Sequence, residues 1–98
     1  LADKNTVYAL TEDKEVKLNY AGAADFRADM FVCNGESFIV RGYADKRFAV
    51  MIQASLENGS VSKVITNEFF RNIVNPINVN GDTMFTVQEN GKYSYYIF

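Results

Sequence analysis

The chain has 98 residues, 48% of them apolar and 14% aromatic, with a net charge of −2 and a pI near 5.0. That is one domain with material for a core of its own, and its charge offers no broad attraction for nucleic acid or an anionic membrane. A single cysteine excludes an intrachain disulfide, no apolar run approaches the roughly 20 residues of a membrane-spanning helix, and the lack of histidine excludes Ser-His and Cys-His nucleophile pairs, histidine metal sites and a histidine general base.

The start, Leu1-Ala2-Asp3-Lys4, has no signal-peptide character, which suits a mature or trimmed form whose leader is gone. Residues 6–10 read as a strand, followed by the charged turn Thr11-Glu12-Asp13-Lys14. From Glu15 the chain alternates, with Val16, Leu18 and Tyr20 on one side and Lys17 and Asn19 on the other, the pattern of a strand with one wet face. Residues 21–29 favour a helical turn through their alanines but are too short for a stable helix without packing.

The segment 29–57 organises the rest. Met30 to Cys33 and Phe38 to Val40 flank Asn34-Gly35, a dipeptide suited to a hairpin turn with positive φ at both central residues. Residues 44–47 turn the chain again, and Phe48, Val50, Ile52, Ala54 and Leu56 then fall on one face at period two. The period-two face predicts a strand here, against a helix over 46–57 capped by Asp45. Residues 61–66, rich in Val, Ile and Thr, also read as a strand, against a helix within 61–73 capped by Ser60. Asn72 to Asp82 reads as a loop-rich connection, because Pro76 removes a backbone donor. Thr83–Gln88, with Phe85 and Val87 inward, and Tyr93–Phe98 form a final hairpin around Asn90-Gly91. The expected fold is all-β: a small antiparallel barrel or sandwich of about eight short strands, with α+β as the alternative.

Chemistry-bearing motifs are scarce. Cys33 is expected to be a buried, inert thiol, since activation needs a cationic or basic neighbour and the chain has no histidine. Glu12, Asp13 and Glu15, and the pair Asp25 and Asp29, are expected on a solvated surface rather than as a glycosidase pair. Asn78, Asn80 and Asp82 around Gly81 lack the acidic first ligand and the bidentate glutamate of a calcium loop. Asn58-Gly59-Ser60 fits a glycosylation acceptor, meaningful in a eukaryotic secreted protein. No catalytic residue, metal ligand or cofactor site is assigned, and a non-enzyme is expected.

Binding surfaces are easier to place. Arg41, Tyr43, Lys46 and Arg47 make the one local basic cluster, and Phe69, Phe70 and Arg71 lie where a strand gives way to a loop. Arginine and aromatic side chains anchor protein interfaces, so these seven residues are the candidate partner-binding set, the partner being another protein. Single-stranded nucleic acid would use the same residue types, but the acidic balance disfavours it. Tyr93, Tyr95 and Ile97 alternate with Tyr96 and Phe98, so the last strand is apolar on both faces. Such a strand is either covered on both sides or meets a partner chain, which makes Tyr93–Phe98 a candidate seam for a homo-oligomer.

Phe31-Val32-Cys33, Gly35, Phe38, Val40 and Tyr43, with Gly81-Asp82, Val87 and the last strand, resemble the periplasmic C-type lysozyme inhibitors over about residues 31–98. The resemblance implies a small extracytoplasmic β-barrel, periplasmic or secreted, that acts by inserting a loop into its target. The chain departs from that family in three ways: it has no Ser-Ala-Ser-Gly inhibitory loop, no second cysteine to pair with Cys33, and no tryptophan-containing aromatic pair. Ile65-Thr66-Asn67-Glu68-Phe69-Phe70 stands roughly where the inhibitory loop would be. The leading reading is therefore a non-enzymatic protein-binding module, an inhibitor being one form of it, that acts through surface loops. The other is a structural subunit that self-associates through strand edges.

Overall fold

A computed structural model describes residues 8–10, 15–18, 20, 26–45 and 47–98 of the chain. The described residues form nine strands in three antiparallel sheets and no α-helix, so the chain is all-β. The strands are β1 (Tyr8–Leu10), β2 (Glu15–Lys17), β3 (Phe26–Asn34), β4 (Ser37–Ala44), β5 (Phe48–Ser55), β6 (Val61–Thr66), β7 (Ile73–Val79), β8 (Asp82–Glu89) and β9 (Lys92–Ile97), with a 3-10 helix at Glu68–Asn72. A two-stranded sheet β1-β2, a four-stranded sheet β3-β4-β5-β6 and a three-stranded sheet β7-β8-β9 follow one another along the sequence. The described strands form no closed barrel; sheets pack face to face, as in a sandwich.

The central pair β4-β5 shows why. Its residues are apolar at consecutive as well as alternate positions, which a strand can sustain only when both faces are covered. Phe38, Val40, Val50, Ile52 and Ala54 point to one side, where Ala9, Val16 and Leu18 from the β1-β2 side close over them. Ile39, Ala49 and Met51 point to the other, against Phe70, Ile73, Phe85 and Val87. Phe38, Phe70 and Phe85 are the largest fully buried side chains, and each contributes about 2–3 kcal/mol by leaving water. The four-stranded sheet is thus the middle layer of three.

The two helical alternatives give way to strands at residues 48–55 and 61–66, and among the described residues only Glu68–Asn72 turns helically. Asn67 caps that turn, its side chain accepting from the Phe69 N–H at 3.2 Å. The expected loop over 72–82 is instead mostly strand β7. It tolerates Pro76 because β7 is an edge strand and its register with β8 slips between Val74 and Ile77, where Asn75 takes φ 51°. Asn80-Gly81 and Asn90-Gly91 both have positive φ at both residues, as a type I′ hairpin turn requires. The turn near Asn34 differs from expectation. Asn34 pairs with Ser37, so Gly35 and Glu36 are the central residues, and only Gly35 has positive φ, the pattern of type II′. The strand read over 6–10 is described from Tyr8 onward; the turn at 11–14, Asn19 and residues 21–25 lie outside the described residues. The helical turn expected over 21–29 is not found in its described part: residues 26–29 open strand β3, where pairing with β4 outweighs the local preference of alanine.

Candidate functional site

The hairpin β4-β5 ends in the turn Asp45–Arg47, in which the Arg47 N–H donates to the Ala44 carbonyl at 3.1 Å and Asp45 adopts φ 52°. The 3-10 helix packs beside β5, where the Asn67 N–H reaches the Ala49 carbonyl at 3.1 Å. Two segments more than twenty residues apart in sequence therefore meet at one end of the middle sheet.

Tyr43, Arg47 and Arg71 come together there. The Arg71 guanidinium lies 5.0 Å from the Tyr43 ring centroid, its Nη2 donates to the Arg47 carbonyl oxygen, and its Nε donates to the Glu68 carboxylate at 2.9 Å. Arg47 in turn lies 4.8 Å from the centroid of Phe48, which is 42% exposed. Phe48 shares the face of Val50 and Ile52 but sits at the strand's start, where that layer is no longer covered. Tyr43 belongs to the opposite face, so the cluster wraps the end of the hairpin as a ridge. Phe69 is half-buried, its ring centroid 5.0 Å from that of Tyr96. Lys46 lies outside the described residues.

Two members of the predicted set are not on the surface. Phe70 is fully buried, stacked between the middle and C-terminal sheets with its centroid 5.5 Å from Tyr96, so it is a core residue rather than a partner contact. Arg41 is 9% exposed and spent on the fold: its Nε and Nη2 donate to Asp29, and its Nη1 donates to the carbonyls of Phe70 at 3.0 Å and Ile73 at 2.9 Å. Asp29 is the unpaired residue of a bulge between the Ala28 and Met30 pairings, which swings its carboxylate toward Arg41. Arg41 reads as part of a surface basic cluster because a strand's inward arginine leaves no mark in the sequence unless its acceptors are known.

Sequence reasoning passed over Phe48, assigned to a core face, and Glu68, the anion that fixes Arg71. The thiol of Cys33 is exposed rather than buried, because β3 is an edge strand and its alternate side chains stay open. A second polar knot lies at the other end of the sheets. Asn34 donates to the Gly81 carbonyl at 2.9 Å and to Thr83 Oγ1 at 3.0 Å; Thr83 donates to Asn78 Oδ1 at 2.8 Å, and Asn78 to the Cys33 carbonyl at 2.7 Å. Thus Asn78, weighed as an ion ligand, ties β7 to β3, and no group of acidic or cysteine side chains able to hold a metal occurs among the described residues. No helix among them is long and apolar enough to cross a membrane.

No protein-family model, curated protein or solved structure matches this chain.

Proposed function

We propose that the chain is a non-enzymatic protein-binding module that meets its partner through the ridge of Tyr43, Arg47, Phe48, Phe69 and Arg71. The supporting observation is the convergence of the β4-β5 turn and the 3-10 helix, which sets two arginines against two partly open aromatic rings. Arginine and aromatic side chains are the residue types that most often carry binding energy at protein interfaces. Their own contacts favour the role further: Glu68 and the Arg47 carbonyl hold Arg71 in place, so little side-chain freedom remains to be lost on docking.

An inhibitor is the sharper form of this reading. A ridge at a hairpin end suits insertion into a concave site, and the resemblance to lysozyme inhibitors names one target to try. In residues 65–70, Phe70 is occupied by the core, so insertion falls to Asn67, Glu68 and Phe69.

The test is affinity capture from the source organism's extract, comparing the wild type with an Arg47→Glu/Arg71→Glu variant of equal melting temperature. A protein enriched by the wild type and lost by the variant supports the proposal; equal capture by both contradicts it. Residual lytic activity of a C-type lysozyme titrated with the wild type decides the narrower inhibitor form, which unchanged activity at a large excess rejects.

A further inference from the structure

Among the described residues the outer edge of β9 is unpaired, and it points to a second surface, separate from the ridge. In an antiparallel pair, each residue turns its N–H and C=O toward the same side, and alternate residues turn them to opposite sides. Phe98 donates its N–H to the Thr83 carbonyl at 3.0 Å, and the β8-β9 register continues through Phe85↔Tyr96 and Val87↔Ser94. Ser94 and Tyr96 therefore spend their backbone groups on β8, while Tyr93, Tyr95 and Ile97 hold theirs out along the edge. The side chains of those same three residues stand on the outer face of the sheet, 70%, 71% and 60% exposed.

Other long edges in the fold are blunted, as edges of soluble proteins usually are. β7 carries Pro76 and a register slip, β3 carries the Asp29 bulge, and β6 carries Lys63 and pairs across an irregularity at Gln53/Ala54. β9 has none of these devices. It is regular over all six of its pairings, and its one charge, Lys92, stands at its start.

We propose that β9 pairs antiparallel with β9 of a second copy of this chain, about a two-fold axis at Tyr95, so that two three-stranded sheets become one of six strands. The strand suits itself as a partner. With Tyr95 opposite its own equivalent, Tyr93 falls opposite Ile97, and the three residues with outward backbone groups meet three of the same kind. The facing side chains are then aromatic–aromatic and aromatic–β-branched, the favoured cross-strand pairs, and no like charges oppose each other from residues 93 to 97. Edge pairing lies at the small end of interface sizes, so the dimer should be weak and reversible.

The test combines sedimentation velocity with register-specific cross-linking on the full chain. The wild type should pass from monomer to dimer across a hundredfold concentration range, and Tyr95→Lys, which sets two ammonium groups face to face, should stay monomeric with an unchanged far-UV spectrum. In a Cys33→Ser background, Tyr95→Cys should form a covalent dimer under mild oxidation, because residues on the axis lie about 5.5 Å apart between Cα atoms, within disulfide reach. Tyr93→Cys alone should not, since its opposite number is residue 97. A wild type that is monomeric throughout overturns the proposal, and so does a dimer in which Tyr93→Cys cross-links as well as Tyr95→Cys. Monomers that bind an unrelated extended peptide at β9 would instead assign the edge to a foreign strand and equally overturn it.

Discussion

Arg41 and Asp29 form a two-pronged ion pair, Nε to Oδ1 at 2.8 Å and Nη2 to Oδ2 at 2.9 Å, across the bulge that interrupts the β3-β4 register. The remaining guanidinium nitrogen, Nη1, reaches two backbone carbonyls at the junction of the 3-10 helix and β7. One side chain thus joins the edge of the middle sheet to the start of the C-terminal sheet.

Removing that side chain should loosen both sheets. Arg41→Ala leaves buried carbonyls without a charge-assisted donor and is expected to cost about 3 kcal/mol in urea unfolding. Arg41→Lys should recover less than half of that, because an ammonium cannot reproduce the planar fork. Asp29→Asn should cost only about 1 kcal/mol: its side chain is 44% exposed, and an amide oxygen still accepts from the guanidinium.

Phe70→Ala is a stability variant, not a binding variant. The ring is fully buried against Tyr96 and Phe69, so its removal should cost about 3–5 kcal/mol and lower the melting temperature by many degrees. Calorimetry on the purified variant checks it; a loss under 1 kcal/mol would mean the interface between the middle and C-terminal sheets repacks freely.

Gly59 and Gly35 separate two effects of glycine. Both have positive φ, 78° and 62°. A Cβ at Gly59 would strike the Lys17 carbonyl of β2, whereas a Cβ at Gly35 would meet nothing within 4 Å. Gly35→Ala should therefore cost about 1 kcal/mol for its conformation alone. Gly59→Ala should cost at least twice that and raise amide exchange in Tyr8–Leu10 and Glu15–Lys17, the strands it displaces.

Arg47→Glu and Arg71→Glu should each change stability by less than about 1 kcal/mol, since both side chains are exposed and the Arg71–Glu68 pair is a solvent-facing contact. Thermal unfolding of the two variants, singly and together, measures this directly.

Much of this fold is written locally. The period-two face of Phe48 to Ala54 and the Asn-Gly turns at 80 and 90 are short-range signals, and the structure follows them; of the alternation from Glu15 to Tyr20 it forms a strand over Glu15–Lys17. What escaped the sequence depends on partners far along the chain. Residues 72–82 read as a loop because proline bars a central strand, and nothing local says that β7 lies at an edge. The second covered face of β5, Ala49 and Met51, is not marked by period-two spacing and becomes evident only from the C-terminal sheet that packs on it. The site divides in the same way. Residue type alone brought Tyr43, Arg47, Phe69 and Arg71 to notice, but whether an arginine faces solvent or two carbonyls, and which of two adjacent phenylalanines faces the core, is decided by tertiary contacts.

The most direct test of the ridge is a binding isotherm of the captured partner against wild-type protein and the Arg47→Glu/Arg71→Glu variant, with melting temperatures recorded on the same samples. The expected result is at least a tenfold loss of affinity, about 1.4 kcal/mol, at an essentially unchanged melting temperature. Equal affinities would contradict it by showing that the partner binds elsewhere, and an affinity loss matched by a large drop in melting temperature would show that the two arginines hold the fold rather than the partner.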